Sequence, residues 1–122
     1  MNEYKRLPES ELDIMLAVWA EDGPTTAPRV MERLRRPLTA SALHSYLRRL
    51  EERGYLKCEK QPGKTNSYRA LISRGEYERK EGRSVLNKLY EGSLKRFAAS
   101  LYDGGALTDE DVAELRDFLD KL

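Results

Sequence analysis

The sequence holds one cysteine, Cys58, and one histidine, His44, in 122 residues. A lone cysteine excludes an internal disulfide, and one His with one Cys excludes a Cys/His zinc cluster. No apolar run approaches the ~20 residues that a membrane span requires. The opening MNEYKRLPES has no signal-peptide core, so a reducing, cytoplasmic setting without membrane contact is expected. There is no glycine-rich phosphate loop, no metal-ligand spacing, and no Ser or Cys with a His base nearby. Catalysis is not expected, and neither is a cofactor.

What is present is charge, 35% of residues, distributed unevenly. Residues 1–74 hold 14 Lys/Arg against 10 Asp/Glu, while residues 75–122 hold 8 against 11. The contrast is sharper in the window 29–74, with 12 basic and 4 acidic residues, and in 101–122, with 2 and 7. A basic segment followed by an acidic one suggests a half that binds a polyanion and a half with another task.

Apolar spacing predicts the elements. Leu12, Met15, Leu16 and Trp19 recur at helical intervals, and Gly23-Pro24 stops that helix. Thr25-Thr26 offers a cap for a short second helix, with Pro28 tolerated in its first turn. Val30, Met31 and Leu34 are its apolar positions, and Pro37 is expected to end it. Thr39 is the predicted cap of a third helix, over about 40–53, with Leu43, Leu47 and Leu50 as its buried stripe. Gly54 stands where a helix end favours a left-handed residue. Residues 55–61 and 67–72 are predicted strands around the turn composition Pro62-Gly-Lys-Thr-Asn66, which makes a β-hairpin wing over about 55–72. From Ser73 the pattern is helical again. Val85, Leu86, Leu89 and Tyr90 form one stripe; after Gly92 come Leu94, Phe97, Ala98 and Leu101. Thr108 and Asp111 frame a capping box for a last helix edged by Val112, Leu115, Leu119 and Leu122.

Three helices followed by a basic hairpin read as a winged helix–turn–helix. With Leu43, Leu47 and Leu50 inward, the outward face of the third helix is Ser41, His44, Ser45, Arg48 and Glu52, at ~100° per residue. Short hydroxyls and the small Ala42 permit close approach to base edges. His44 and Arg48 have the reach for purine acceptors or phosphates in a major groove. Thr25, Thr26 and Arg29 are candidates for a phosphate at the start of the second helix. Lys60, Lys64 and Asn66 in the wing are candidates for flanking backbone. The C-terminal stripes are candidate partner surfaces, because the segment is too short to bury its own apolar faces. A two-fold dimer presents two recognition helices to a palindromic duplex.

The run LPESELDIMLAVWAEDGPTTAPRVMERL resembles the start of penicillinase repressors of the BlaI/MecI type, through Glu11, Met15, Trp19, Gly23-Pro24 and Thr26. ALHSYLRRLEERGYL (Ala42–Leu56) resembles their recognition helix and strand entry. RSVLNKLYEGSLKRFAASL (Arg83–Leu101) resembles their dimerisation helices, and LTDEDVAELRDFL their last helix. The resemblance runs over nearly the whole chain. It implies a homodimer that represses genes, commonly β-lactam-resistance genes, on an inverted-repeat operator in double-stranded DNA. It also implies a membrane sensor-protease whose signal leads to cleavage in the dimerisation region. Three departures stand out. Ala42 and Ser45 replace threonines of the family's recognition helix; Ser100-Leu101 occupies the candidate cleavage position, where the family has Asn-Phe. The C-terminal cysteine motif of the copper-responsive branch is absent.

The expectation is therefore a mainly α chain with a small β-hairpin. Residues 1–74 form the winged helix–turn–helix, and residues 75–122 a helical dimerisation region. Two alternatives remain open. One is a regulator holding a small effector at the dimer interface near Tyr90, Phe97 and Tyr102; the other is a winged helix that binds protein.

Overall fold

The computed structural model describes residues 6–60, 62–63 and 65–122. The elements run α1 (Glu9–Trp19), β1 (Thr25–Thr26), α2 (Ala27–Arg33), α3 (Ala40–Glu52), β2 (Leu56–Glu59), β3 (Ser67–Ala70), α4 (Arg74–Tyr90), α5 (Leu94–Asp103) and α6 (Asp109–Asp120). This is the mainly helical winged architecture that the sequence predicts. The chain divides into two compact units, one reaching Arg79 and the other Lys80–Leu122.

Local chemistry sets the helix ends of the first unit. Thr39 Oγ1 accepts from the Ala42 N–H at 3.1 Å, which satisfies one of the orphan donors that open α3. At the other end Gly54 takes φ 83°. The Gly54 and Tyr55 N–H groups then return to the carbonyls of Glu51 and Leu50, at 3.0 Å each, which is a full Schellman closure. Leu43, Leu47 and Leu50 all face the core. That closure turns the chain directly into β2, so the wing starts at a fixed angle to α3.

The sheet has three antiparallel strands in the order β1-β3-β2. The hairpin register pairs Leu56 with Ala70 and Cys58 with Tyr68. Both strands are shorter than predicted. Thr25 and Thr26, not predicted as strand, also pair with Tyr68 and Ser67.

One predicted face and one predicted helix end shift. On α1 the sealed positions are Glu11, Ile14, Met15, Ala17 and Val18. Leu12 and Trp19 pack on the core from its margin, and Leu16 lies half exposed beyond it. The offset follows from packing on two sides, α3 and β3, which a single stripe does not describe. On α2 the helix stops at Arg33, and Leu34 is already extended, three residues before Pro37. Tyr77, in the second turn of α4, is a core residue at 5% exposure. Its hydroxyl accepts from the Leu7 N–H at 3.0 Å, and its ring meets Trp19 and Tyr55 at 5.7 and 6.2 Å.

Glu11 is fully buried, and its Oε2 accepts from Arg53 at 3.1 Å. Its Oε1 has no partner among the described residues. A lone buried carboxylate is costly, so loss of Arg53 would leave Glu11 uncompensated at the junction of α1 with the C-cap of α3.

In the second unit, α5 is capped by Ser93 Oγ on the Arg96 N–H at 3.1 Å. The α6 capping box is complete in both directions, Thr108 and Asp111 each accepting the other's backbone N–H. The Tyr90 and Phe97 rings meet at 4.9 Å and join α4 to α5. The Tyr102 hydroxyl donates to Asp109 at 2.7 Å.

Candidate nucleic-acid interface

Four predicted contact residues meet in one place. His44 and Arg48 on α3, and Lys60 and Asn66 at the two ends of the wing turn, line a groove of about 260 Å³ together with Glu51, Cys58 and Tyr68. The first pair comes from a helix and the second from a hairpin, so the Schellman turn and the wing register together create this groove.

Its electrostatics favour an anion. His44, Arg48 and Lys60 have no ion-pair or hydrogen-bond partner among the described residues. Among the described residues their donors can take a ligand without breaking a protein contact. Glu51 sets one negative charge against them, and its Oε2 accepts from the Cys58 N–H at 2.8 Å, which binds α3 to β2. Tyr68 forms the floor, buried at 6%. Burial, then the neighbouring Cys58 and Glu51, push its phenol above the ordinary value, so it remains protonated.

Ser41 and Ser45 are exposed on the same helix, and Ala42 is half buried. Lys64 lies outside the described residues. The start of α2 offers less than expected. Thr25 is buried at 5% and pairs with Tyr68 on β3. The Thr26 hydroxyl already accepts from the Arg29 N–H at 3.4 Å, and α2 is only seven residues long. Arg29 is bound to Glu21 and, at 3.0 Å, to Glu32. The hydrogen bond to Glu21 comes first among the causes that raise its pKa, and Glu21 is lowered in return, mainly by Arg29. Two of the three guanidinium nitrogens, Nε and Nη1, are thus already engaged by carboxylates. Sequence spacing could not reveal this, because Glu21 lies eight residues away across a turn.

Two groove residues escaped the sequence reading. Glu51 looks like an ordinary surface acid until β2 folds against it. Cys58 enters only because the strand register sets it opposite Tyr68. Among the described residues no group of three His, Cys, Asp or Glu is placed to hold a metal, and no helix is long and apolar enough to cross a membrane.

In the second unit Val85, Leu86, Tyr90, Phe97, Leu101 and Val112 are half buried. Leu89, Leu94, Leu115 and Leu119 are exposed, by 65, 67, 44 and 52%. Phe118 and Leu122 extend that apolar edge of α6, Phe118 having been overlooked because it sits beside the 3-4-3 stripe. Ser100 and Leu101 lie inside α5.

The penicillinase repressor family model matches residues 7–121. The chain is 25% identical to the penicillinase repressor of Bacillus licheniformis, over 99% of this chain and 94% of that protein. It is 20% identical to the methicillin resistance regulatory protein MecI of Mammaliicoccus sciuri, and 19% to that of Staphylococcus aureus strain N315, over 98% of both chains in each case. With a family match across almost every residue, the chain belongs to the penicillinase repressors, transcriptional regulators and not enzymes.

Proposed function

We propose that this chain represses transcription as a homodimer on an inverted-repeat operator, with α3 in the major groove and the β2–β3 wing on flanking backbone. The observation that carries this is the groove shared by His44, Arg48, Lys60 and Asn66, whose cations have no partner among the described residues. Arg48 is the reader of a base edge, since a bidentate guanidinium suits the O6 and N7 acceptors of guanine. Lys60 and Asn66 act on the backbone and set register. Ser41 and Ser45 allow the helix to approach closely.

The exposed leucines of α4, α5 and α6 support pairing with a second copy, because a free chain would leave that edge in water. The names of the relatives, a penicillinase repressor and methicillin resistance regulators, favour β-lactam-response genes as targets. Relief by a sensor-protease at Ser100-Leu101 belongs to the same proposal, with one physical condition. Proteases bind extended chain, so α5 must unwind locally before the bond is cut.

The test is fluorescence anisotropy on an inverted-repeat promoter fragment and a scrambled duplex across a salt series. Phosphate neutralisation releases counterions, so log affinity should fall with log salt at about −0.9 per phosphate contact. A preference for the inverted repeat is expected on top of that slope. Affinity that ignores salt and sequence would transfer the groove to a protein partner.

A further inference from the structure

A second groove, of about 680 Å³, lies between α1, α2 and the start of α4, wholly within the first unit. It shares no lining residue with the α3–wing groove. Its lining has two chemistries. Leu16, Ala17, Ala20 and Leu34 give an apolar floor, and the alanines leave room above α1. Arg33, Arg35, Arg36 and Arg74 give four guanidiniums around it, against the two carboxylates of Glu9 and Asp13.

The state of those arginines decides what fits. Arg36 is held by Glu9 at 2.7 Å and Asp13 at 3.4 Å, and Arg33 by Glu21 at 3.2 Å. Arg74 meets Glu78 at 3.2 Å, but both side chains are more than half exposed, and such pairs yield readily. Arg35 has no partner among the described residues. The groove thus offers one unengaged guanidinium and one weakly engaged, beside hydrocarbon.

We infer that this groove binds an amphipathic organic anion, a small hydrocarbon body with a phosphate or carboxylate head. The head is received by Arg35 and Arg74, whose planar donors match such oxygens in pairs. The body covers Leu16, Ala20 and Leu34. A nucleic-acid backbone fits less well, since it brings no hydrocarbon for the floor and a row of charges against Glu9 and Asp13. The inference does not depend on the DNA reading, as the two grooves have no residue in common.

The experiment is a titration of the full chain with octyl phosphate below its micelle concentration, read by backbone amide NMR. Octan-1-ol and inorganic phosphate are parallel arms. Octyl phosphate should shift Leu16, Ala17, Ala20 and Leu34 saturably, and bind about tenfold more tightly than either half alone, the factor one charge-assisted hydrogen bond supplies. Arg35→Glu and Ala20→Glu, both at exposed positions, should each weaken it by about tenfold or more. Equal affinity for octan-1-ol would reduce the groove to a greasy patch, and equal affinity for inorganic phosphate to a bare cation cluster. Either result, or shifts untouched by both substitutions, overturns the inference.

Discussion

In the unit that ends at Arg79, Ile14, Met15, Val30, Leu50 and Leu56 are sealed from solvent. In Lys80–Leu122, α5 and α6 bury no residue at all. Both units are helical and both carry leucine at helical spacing, so propensity does not separate them. The difference is geometric. Three helices, a sheet and the start of α4 enclose the first core, whereas α5 and α6 are ten and twelve residues long and have little but each other and the end of α4 to pack against. The first unit is complete by itself, and the second has the composition of half an interface. That contrast fits the proposed division of tasks, in which the closed unit would read DNA and the open one would supply the surface that pairs two copies.

Core truncation should expose the contrast most strongly. Leu47→Ala removes a side chain that is 1% exposed and should lower stability by about 2–5 kcal/mol. Denaturant unfolding of the first unit should show the same loss at every protein concentration. A cost well under 1 kcal/mol would mean that this core is not the closed one described.

A substitution on the open edge should behave in the opposite way. Phe118 is 59% exposed, and Phe118→Ser should barely change the first unit's unfolding. If a second copy covers that ring, about 1.5–3 kcal/mol of apolar burial is lost, which is a rise of roughly tenfold to a hundredfold in the dimer dissociation constant. Sedimentation velocity over a concentration series measures it. An unchanged association would break the assignment of the second unit.

The first unit itself contains a finer comparison, between Arg48, without a partner among the described residues, and the engaged Arg29. Arg48→Ala should weaken operator binding by about 1–3 kcal/mol and relax preference at one base pair. Arg29→Ala should do less, because Glu21 and Glu32 already hold that charge. Competition binding against random duplex separates the two. If Arg29→Ala proves the more damaging, the ion pairs seen here do not survive contact with DNA.

The parts of the molecule legible beforehand are those where the signal is local. Leu43, Leu47 and Leu50 repeat on one face, Thr39 and Gly54 bracket them, and the hairpin follows from composition around Pro62. The parts that stayed hidden depend on distant partners. Strand β1 exists only because β3 returns to pair with it. Tyr77 sits in a charged stretch, Gly-Glu-Tyr-Glu-Arg-Lys, and becomes core only when α4 docks beside Trp19. In the sequence Glu11 stands out only as part of a family pattern, yet Arg53, 42 residues away, makes it an interior anchor. The engagement of Arg29 was hidden for the same kind of reason, through Glu21.

The smallest effect concerns the last helix, whose order has little tertiary support within the chain and so rests on its cap. Asp111 accepts from the Thr108 backbone N–H, which is the leading cause holding its pKa below the ordinary 3.8. A carboxylate with a depressed folded pKa stabilises the fold fully above its unfolded value. The contribution is lost as pH falls below about 3.8 and through the lower folded value. Helicity of α6, followed by NMR, should therefore decline in that acid range in the native chain. In Asp111→Asn this step should be absent and the helix weaker at neutral pH. Thr108→Ala should cost about 1 kcal/mol of local helix stability, as N-cap losses do. Because the closed unit has no comparable dependence on one cap, its amides should keep their protection over the same titration. Simultaneous loss of protection in both units would show that they unfold as one body and would remove the distinction between a self-sufficient half and a dependent one.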